Sequence, residues 1–382
     1  MHARILLFIS FLFFLLSHKA HSQSRQIDTL NFSTKSGLLV IKGYLNNNEA
    51  YFAFDTGASI GVLNSTHTSS NQIESKGKKS IRDSNNASKT MGKGKIDVLK
   101  IGSFSFENIE SVIYDMPFLV CNNLYLLGGD IINRLNWQFD FEKNIVYVSK
   151  ATFKPKAEMT ELRIQFVNNR HFADFEVGGS IFRKCLIDFG YSGTLEVSKT
   201  EALFAKLKKE KEDKMQTITS KTSSMGLSSI TFGQETTTLF IDSLKAGSAI
   251  FKNVKVNIKE KTDKKVGLKF FSQNLSTIIL NNTDSEYWLK SIHKPMDNNL
   301  GFDADFHLNN GKLEMVGKNL NEKSTAKKLN IGEEVKSIDT RTANSFKDVC
   351  EFLKWKADQS NKTEILIEKL NGEKITILRT TF

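Results

Sequence analysis

Two aspartates, each placed between an apolar stretch and a glycine, are the residues of this chain whose setting could support chemistry. Asp55 follows the apolar residues 51–54 and precedes a Thr-Gly pair, and Asp188 follows an apolar stretch and precedes a Phe-Gly pair. Asp is disfavoured in strands and is rarely fully buried unless it is paired. A lone Asp-Thr-Gly is more simply explained as the turn that ends a strand, so the second aspartate matters for the interpretation.

A sequence repeat relates the two aspartates. Residues around them recur at one spacing of 133 residues: Asp55 and Asp188, Gly57 and Gly190, Ser59 and Ser192. Further along, the Leu-Lys-x-Gly-Ser motif of residues 99–108 returns in residues 244–253, and the Leu-Leu-Gly of 126–128 returns as Val-Gly at 266–267. Because three segments return in the same order, the sequence indicates two copies of one structural unit.

These segments together resemble the retropepsin-like and pepsin-like group of aspartic proteases, with both lobes in one chain, over roughly residues 35 to 282. The resemblance implies a mainly β fold with two pseudo-symmetric β-barrel lobes. It also implies an aspartic endopeptidase that acts on proteins or peptides without a cofactor. Two adjacent carboxylates would share a proton, one acting as general base on a water and the other as general acid toward the substrate carbonyl. The catalytic residues would be Asp55 and Asp188.

Five neighbouring residues are expected to support the two carboxylates: Thr56, Gly57, Ser59, Gly190 and Ser192. The resemblance implies that the hydroxyl of Thr56 hydrogen-bonds the backbone of the opposite lobe. Phe189 stands where the family has Thr or Ser, and a Phe side chain cannot donate the reciprocal hydrogen bond. Half of this interlobe clamp is therefore expected to be missing.

Residues 64–94 are polar and could be a disordered loop, but the resemblance places a flap hairpin in this span. A Met-Gly pair is expected at or near the tip of a flap in each lobe, because it lies 37 residues after the first aspartate and 38 after the second: Met91 and Gly92, Met225 and Gly226. A glycine at the tip would let the hairpin close over a ligand and exclude water.

The C-terminal residues 299–382 resemble a PDZ domain in the order of their segments and in size, the alternative being an unspecific small α+β domain. Leu300-Gly301-Phe302 would be its carboxylate-binding loop, and a peptide C-terminus would bind there by strand addition. The predicted organisation is a signal peptide at 1–22, lobe one at 23–150, lobe two at 151–282, a linker at 283–298 and the PDZ-like domain at 299–382.

Residues 1–22 read as a secretory signal peptide, with an apolar core at 5–16 and Ala-His-Ser at 20–22 as the cleavage site. The apolar run is short for a membrane span, so cleavage is favoured over a signal anchor. No other long apolar segment occurs, so we expect a mature chain without a transmembrane segment, exported to the periplasm or secreted.

Composition narrows the classes of function and site. The net charge is +11, but the one dense lysine cluster, at 206–214, is typical of a solvated helix face rather than of a nucleic-acid site. The seven His and three Cys show no metal-ligand spacing, so no metal site is predicted. Cys121 and Cys185 lie in apolar contexts and are predicted to be core residues, with a bridge between them left open. Stability is therefore expected to depend on burial rather than on a disulfide framework.

Two classes of function remain. The favoured one is an exported aspartic endopeptidase whose PDZ-like domain captures peptide C-termini. The alternative is a catalytically weak, protease-derived peptide-binding protein, suggested by Phe189 and by Lys269, which stands at the repeat position of Asp130.

Overall fold

The computed structural model describes residues 26–82, 87–214, 216–226, 230–292 and 299–381. The predicted signal peptide lies outside these ranges. Strands outnumber helices throughout, so the prediction of a mainly β fold is confirmed. No helix in the described part of the chain combines the length and the apolar character that crossing a membrane requires.

The described residues of the first half of the chain form ten strands and three short helices. They are β1 (Ile27–Ser33), β2 (Val40–Leu45), β3 (Asn48–Phe54), β4 (Gly61–Leu63), α1 (Ser65–Ser70), β5 (Ser75–Arg82), β6 (Ser88–Ile101), β7 (Phe104–Ile113), α2 (Pro117–Cys121), β8 (Leu124–Leu127), α3 (Gly129–Ile132), β9 (Asn136–Asp140) and β10 (Ile145–Ser149). The turn between β2 and β3 holds Asn46 and Asn47 at φ of 46° and 67°, a conformation that Asn tolerates and that suits a tight hairpin.

In the second half, the residues that the structure describes form eleven strands and two helices. They are β11 (Thr160–Arg163), β12 (Gln165–Val167), β13 (Arg170–Val177), β14 (Ser180–Asp188), β15 (Leu195–Ser198), α4 (Ala202–Asp213), β16 (Ile218–Met225), β17 (Ile230–Ala246), β18 (Ala249–Lys259), β19 (Lys265–Gly267), α5 (Leu268–Asn274), β20 (Leu275–Asn281) and β21 (Glu286–Ser291). The β21 strand corrects the predicted linker at 283–298. Its side chains alternate between partly buried and buried, with Tyr287 and Leu289 in the core.

The C-terminal residues form a small α+β unit. Its elements are β22 (Asn299–Phe302), β23 (Ala304–Asn309), β24 (Lys312–Asn319), β25 (Glu334–Ile338), β26 (Arg341–Thr342), α6 (Val349–Asp358), β27 (Glu364–Lys369) and β28 (Lys374–Thr381), with 3₁₀ turns at Ala343–Ser345 and Gln359–Asn361. The N-cap of α6 is Asp348, whose side chain accepts a hydrogen bond from the N–H of Glu351. This unit has an apolar core of its own around Phe352, Met315 and Ile367.

Equivalent strands pair in the same way in the two halves of the chain. The β3 strand runs parallel to β8, with Ala53 opposite Leu126. The β14 strand runs parallel to β19, with Leu186 opposite Lys265. In addition, β4 pairs in parallel with β7, and β15 with β18. The strands that deliver Asp55 and Asp188 are therefore held by the same kind of neighbour.

A shared sheet and a shared core join the two halves. The β9 strand of the first half pairs with β20 of the second, with Phe139 opposite Ile278. One buried apolar cluster extends through both halves and contains Phe54, Phe189 and Phe271. The aspartate-bearing strands end against this cluster, so their positions are set by packing across the interface.

Two connections fasten the C-terminal unit to the rest of the chain. A disulfide joins Cys121 in α2 to Cys350 in α6, and β16 pairs with β24, with Ser220 opposite Asn319. The disulfide corrects the prediction for Cys121, which is bonded to Cys350 and not to Cys185. Cys185 is free and buried, so its prediction as a core residue is confirmed. This disulfide could not be predicted from the sequence, because the two cysteines are 229 residues apart and meet only when α2 packs beside α6.

Candidate active site

Asp55 and Asp188 meet on the floor of a cleft of about 780 Å³ between the two halves of the chain. Asp188 is the last residue of β14, and Asp55 directly follows β3. Their carboxyl groups lie within hydrogen-bonding reach of each other. The structure therefore brings together the two residues for which the sequence predicted chemistry.

The glycines that follow the aspartates leave space for this meeting. A Cβ atom added to Gly57 would lie 2.6 Å from Cγ of Asp188. A Cβ atom added to Gly190 would collide with the carboxyl group of Asp55. Each glycine thus lets the opposite carboxyl group approach the backbone, where a larger residue would push it away.

Burial at this position shifts both aspartates toward the neutral form. Burial, reinforced by the charge of Asp188, raises the pKa of Asp55 to about 8. Burial also raises the pKa of Asp188, although the ammonium group of Lys265 opposes that rise. The Oδ1 atom of Asp55 accepts hydrogen bonds from the N–H groups of Gly57 at 2.8 Å and Ala58 at 3.0 Å. Two carboxyl groups this close do not both ionise at low cost.

Thr56 links the two aspartate loops as predicted. Its Oγ1 donates a hydrogen bond to the carbonyl oxygen of Ile187 at 2.6 Å and accepts one from the N–H of Phe189 at 3.1 Å. Phe189 donates no side-chain bond in return. Its buried ring stacks on Phe271 with 5.1 Å between centroids and meets Phe54 edge-on at 5.8 Å. Aromatic packing therefore replaces the missing half of the clamp.

The two predicted serines also line the cleft. The backbone carbonyl of Ser59 accepts a hydrogen bond from Nδ2 of Asn169 at 3.2 Å, which ties the first aspartate loop to the second half of the chain. Ser192 lies across the cleft beside Gly37. Ser59 and Ser192 therefore lie where residues that support the two aspartate loops would be expected.

The first hairpin differs from the prediction in one respect. Met91 and Gly92 lie within the paired part of β6, opposite Lys79 and Lys78 of β5, and the pairing continues beyond them to Arg82 and Ser88. Met91 is buried in an apolar cluster, because its side chain faces the core side of the hairpin. The hairpin residues that line the cleft are on β5: Lys79, Ser80, Ile81 and Arg82.

The second hairpin carries its Met-Gly pair close to the turn. Met225 pairs with Ile230, and Gly226 follows directly. Gly226 and Ser224 line the cleft, opposite the first hairpin. The two hairpins therefore contribute differently to the cleft. The first contributes residues along β5, and the second contributes residues at the end of β16.

Sequence reasoning missed a buried polar cluster beside Asp188. It includes Lys265, Glu196 and Tyr191, and the ammonium of Lys265 lies 4.7 Å from the ring centroid of Tyr191. The internal repeat contained a signal for it. Lys265 occupies the position that Leu126 has in the first copy, where a charged residue is unexpected.

The C-terminal unit lines a second cavity, of about 670 Å³, which reaches the loop at 190–193 beside Asp188. Gly301 and Phe302 of the predicted carboxylate-binding loop line it; the side chain of Leu300 lies outside what the structure describes. The apolar residues of this cavity include Phe306 of β23 and, from α6, Phe352 and Trp355. The second cavity therefore adjoins the cleft, and the 190–192 segment lines both.

The described ranges contain no group of three or more His, Cys, Asp or Glu side chains arranged to hold a metal ion. The carboxyl pair of Asp55 and Asp188 can hold and transfer a proton, because burial raises the pKa of both groups.

Comparison with known proteins finds a family match in the part of the chain that contains Asp55. Residues 41–134 match the family described as "gag-polyprotein putative aspartyl protease". A retropepsin-like aspartic protease from Rickettsia conorii is similar at 17% identity over 34% of this chain and 95% of that one, with a TM-score of 0.27. Conglutin gamma, a basic 7S globulin from lupine seeds, is similar at 9% identity over 70% and 96%, with a TM-score of 0.44. No curated protein matches the chain. Residues 41–134 are thus similar to aspartyl proteases, and peptide hydrolysis is the function that this similarity supports.

Proposed function

We propose that this protein is an exported aspartic endopeptidase built from two protease-like lobes, in which Asp55 and Asp188 form the catalytic dyad. The observation that carries the proposal is the meeting of the two carboxyl groups, each next to the other's glycine. A pair of carboxyl groups held in a partly enclosed cleft is expensive to build for stability alone, because burial and mutual repulsion both disfavour it.

The chemistry follows from one shared proton. The ionised carboxylate takes a proton from a water, whose oxygen forms a bond to the carbonyl carbon of the peptide. The protonated carboxyl donates its proton to the carbonyl oxygen, giving a neutral tetrahedral diol. The carboxyl that took the proton of water then gives a proton to the amide nitrogen, and the C–N bond breaks. A hydroxyl of the diol returns its proton to the other carboxylate, so an acid and an amine are released and the dyad again holds one proton.

The C-terminal unit is proposed to be PDZ-like and to capture the C-terminal segment of a peptide. Among the described strands, β23 pairs only with β24, so its other edge faces the groove beside α6. Side chains cover that edge at Phe306: its N–H donates to Oδ1 of Asp305 at 3.0 Å, and its carbonyl accepts from Nζ of Lys356 at 3.0 Å. A peptide strand that adds here would replace both side-chain contacts with backbone hydrogen bonds.

Export agrees with the disulfide between Cys121 and Cys350, because disulfides persist in oxidising compartments and are rare where thiols are kept reduced. The predicted signal peptide points the same way. We therefore propose a periplasmic or secreted protein.

The test is hydrolysis of a quenched-fluorescence peptide library from acidic to mildly alkaline pH. Asp55→Asn and Asp188→Asn are each expected to reduce kcat/KM by at least about a thousandfold, as removal of a member of a catalytic unit does. Asp242→Asn is the matched control, since the side chain of Asp242 is exposed and does not line the cleft. Unchanged cleavage in either dyad variant would contradict the proposal. Tight peptide binding without any hydrolysis by the wild type would favour the alternative of a peptide-binding protein.

A further inference from the structure

A buried lysine distinguishes one aspartate from the other. Lys265 begins β19, is 5% exposed and lines the cleft with Asp188. It lies opposite Leu186, two residues before Asp188. In the first half, the equivalent position opposite Ala53 is held by Leu126, which also lines the cleft. The two halves therefore share backbone pairing at this point but differ in charge, and the positive charge is on the Asp188 side.

Lys265 belongs to a buried cluster with a surplus positive charge. Its Nζ lies 3.2 Å from Oε1 of Glu196, and Nζ of Lys259 lies 2.7 Å from Oε2 of the same carboxylate. The hydroxyl of Thr262 donates to Oε1 at 2.6 Å. Glu196 and Lys259 are 2% and 8% exposed. Two ammonium groups thus surround one carboxylate, and a surplus buried charge is costly unless another group compensates it.

Asp188 is the group that can compensate it. Among the described residues, the other titratable or charged groups beside this cluster or in the cleft of the Asp pair are Asp55, Tyr191, Asp263 and Arg170, with Lys79 and Arg82 on β5. Lys221 and Lys255 line the second cavity together with Glu196. Asp263 has a half-exposed side chain and faces Arg170 at 4.0 Å. Burial keeps Tyr191 neutral by raising its pKa. Asp55 belongs to the other half of the chain and receives its hydrogen bonds from its own loop.

We propose that Lys265 holds the negative charge of the pair on Asp188 and leaves the shared proton on Asp55. This inference rests on the proposed function and assigns unequal roles within it: Asp188 is the base that takes the proton of water, and Asp55 is the acid. Lys265 is a positioning residue that acts through Asp188. The pKa values agree, because Lys265 opposes the effect of burial at Asp188, whereas the pKa of Asp55 rises to about 8.

The first test measures ionisation directly. Protein labelled with ¹³C at the Asp carboxyl carbons is titrated by NMR, and the two signals are assigned from Asp55→Asn and Asp188→Asn. Lys265→Met is expected to raise the apparent pKa of Asp188 by about one unit or more, since an adjacent opposite charge shifts a carboxyl by roughly one to three units. The variant should fold, because Glu196 and Lys259 remain as a balanced pair.

Two matched variants separate charge from packing. Lys265→Arg keeps the charge and is expected to leave the titration of Asp188 within a few tenths of a unit. Lys259→Met removes the ammonium from the other oxygen of Glu196 and should also leave it nearly unchanged. Equal shifts in Lys265→Met and Lys265→Arg, or no shift in Lys265→Met, would overturn the proposal.

The second test uses the pH dependence of kcat/KM. Lys265→Met is expected to move the acidic limb to higher pH by about one unit, which is a tenfold loss of activity on that limb. A uniform loss of activity with an unmoved limb would show a merely structural role and overturn the proposal. The NMR titration needs no turnover, so failure of the wild type to hydrolyse peptides would refute the proposed function and leave the assignment of charge to be decided separately.

Discussion

Thr56 and Phe189 occupy equivalent positions directly after the two aspartates, yet they hold the halves of the chain together in different ways. The hydroxyl of Thr56 accepts a hydrogen bond from the N–H of Phe189 at 3.1 Å and donates one to the neighbouring carbonyl of Ile187. The ring of Phe189 is instead buried among the rings of Phe54 and Phe271. One side of the interface is polar and directional, and the other is apolar.

Replacement of Thr56 by Val should weaken both stability and activity. The change keeps the shape but leaves the carbonyl of Ile187 and the N–H of Phe189 buried without a partner, which costs about 1–3 kcal/mol per group. We expect a lower Tm and a loss of kcat/KM, because the loops that carry the carboxyl groups are no longer joined. Thr56→Ser keeps the hydroxyl and is the control. A Val variant as stable as the Ser variant would contradict this role.

Replacement of Phe189 by Thr should destabilise the protein, although it restores the residue that the resemblance leads one to expect. The ring fills a fully buried site, and truncation of a buried Phe costs about 3–5 kcal/mol. Phe189→Leu keeps more of the apolar volume and should cost less. Denaturant midpoints of the two variants check the order. A Thr variant that is more stable than the Leu variant would show that the hydrogen bond matters more than packing.

Asp55→Asn should gain stability relative to the wild type as pH rises. The pKa of Asp55 is raised from its usual value near 3.8 to about 8 in the folded state. At pH values between these two, the folded protein binds more protons than the unfolded chain, so its stability falls with increasing pH. Asn does not ionise and escapes that loss. The Tm of the variant should therefore exceed that of the wild type by a margin that grows as pH rises across this interval. Parallel Tm curves would contradict the raised pKa.

Replacement of Lys356 by Met should strengthen peptide binding to the C-terminal groove. Lys356 pairs with Asp305 and donates to the carbonyl of Phe306, so its removal frees an acceptor on the edge of β23. Titration calorimetry with apolar peptides that end in a free carboxylate would measure the gain. The same peptides with an amidated C-terminus control for carboxylate recognition. Weaker binding by the variant would show that Lys356 contacts the ligand rather than covering the edge.

Replacement of Cys350 by Ser should loosen the C-terminal unit. The disulfide closes a separation of 229 residues, and loss of a native bridge typically costs about 2–4 kcal/mol. We expect a lower Tm and faster proteolysis of the α6 region, matched by the wild type after reduction. Because Phe118 and Leu119 of α2 line the cleft, kcat/KM for long peptides should change more than for short ones. Identical Tm values for oxidised and reduced wild type would contradict the expectation.

Sequence patterns predicted the parts of the molecule that depend on local order. The apolar strands before Asp55 and Asp188, the glycines after them and the repeat spacing carry the resemblance to aspartic proteases. That resemblance implied a mainly β fold and a meeting of the two carboxyl groups. They succeed because alternation, turn residues and internal repeats reflect backbone geometry, which neighbouring residues determine. The absence of a hydroxyl at Phe189 was also readable from the sequence, since a side chain either has a donor or does not.

Tertiary structure decided what depends on residues far apart in the chain. The bridge between Cys121 and Cys350, the cluster of Glu196 with Lys259 and Lys265, and the burial of Met91 each follow from the packing of elements whose order in sequence says nothing about their distance in space. The ionisation of the two aspartates also depends on residues that are far apart in the sequence. Whether a carboxyl group keeps its proton depends on the charges and the solvent around it, and only the folded chain brings those neighbours to Asp55 and Asp188.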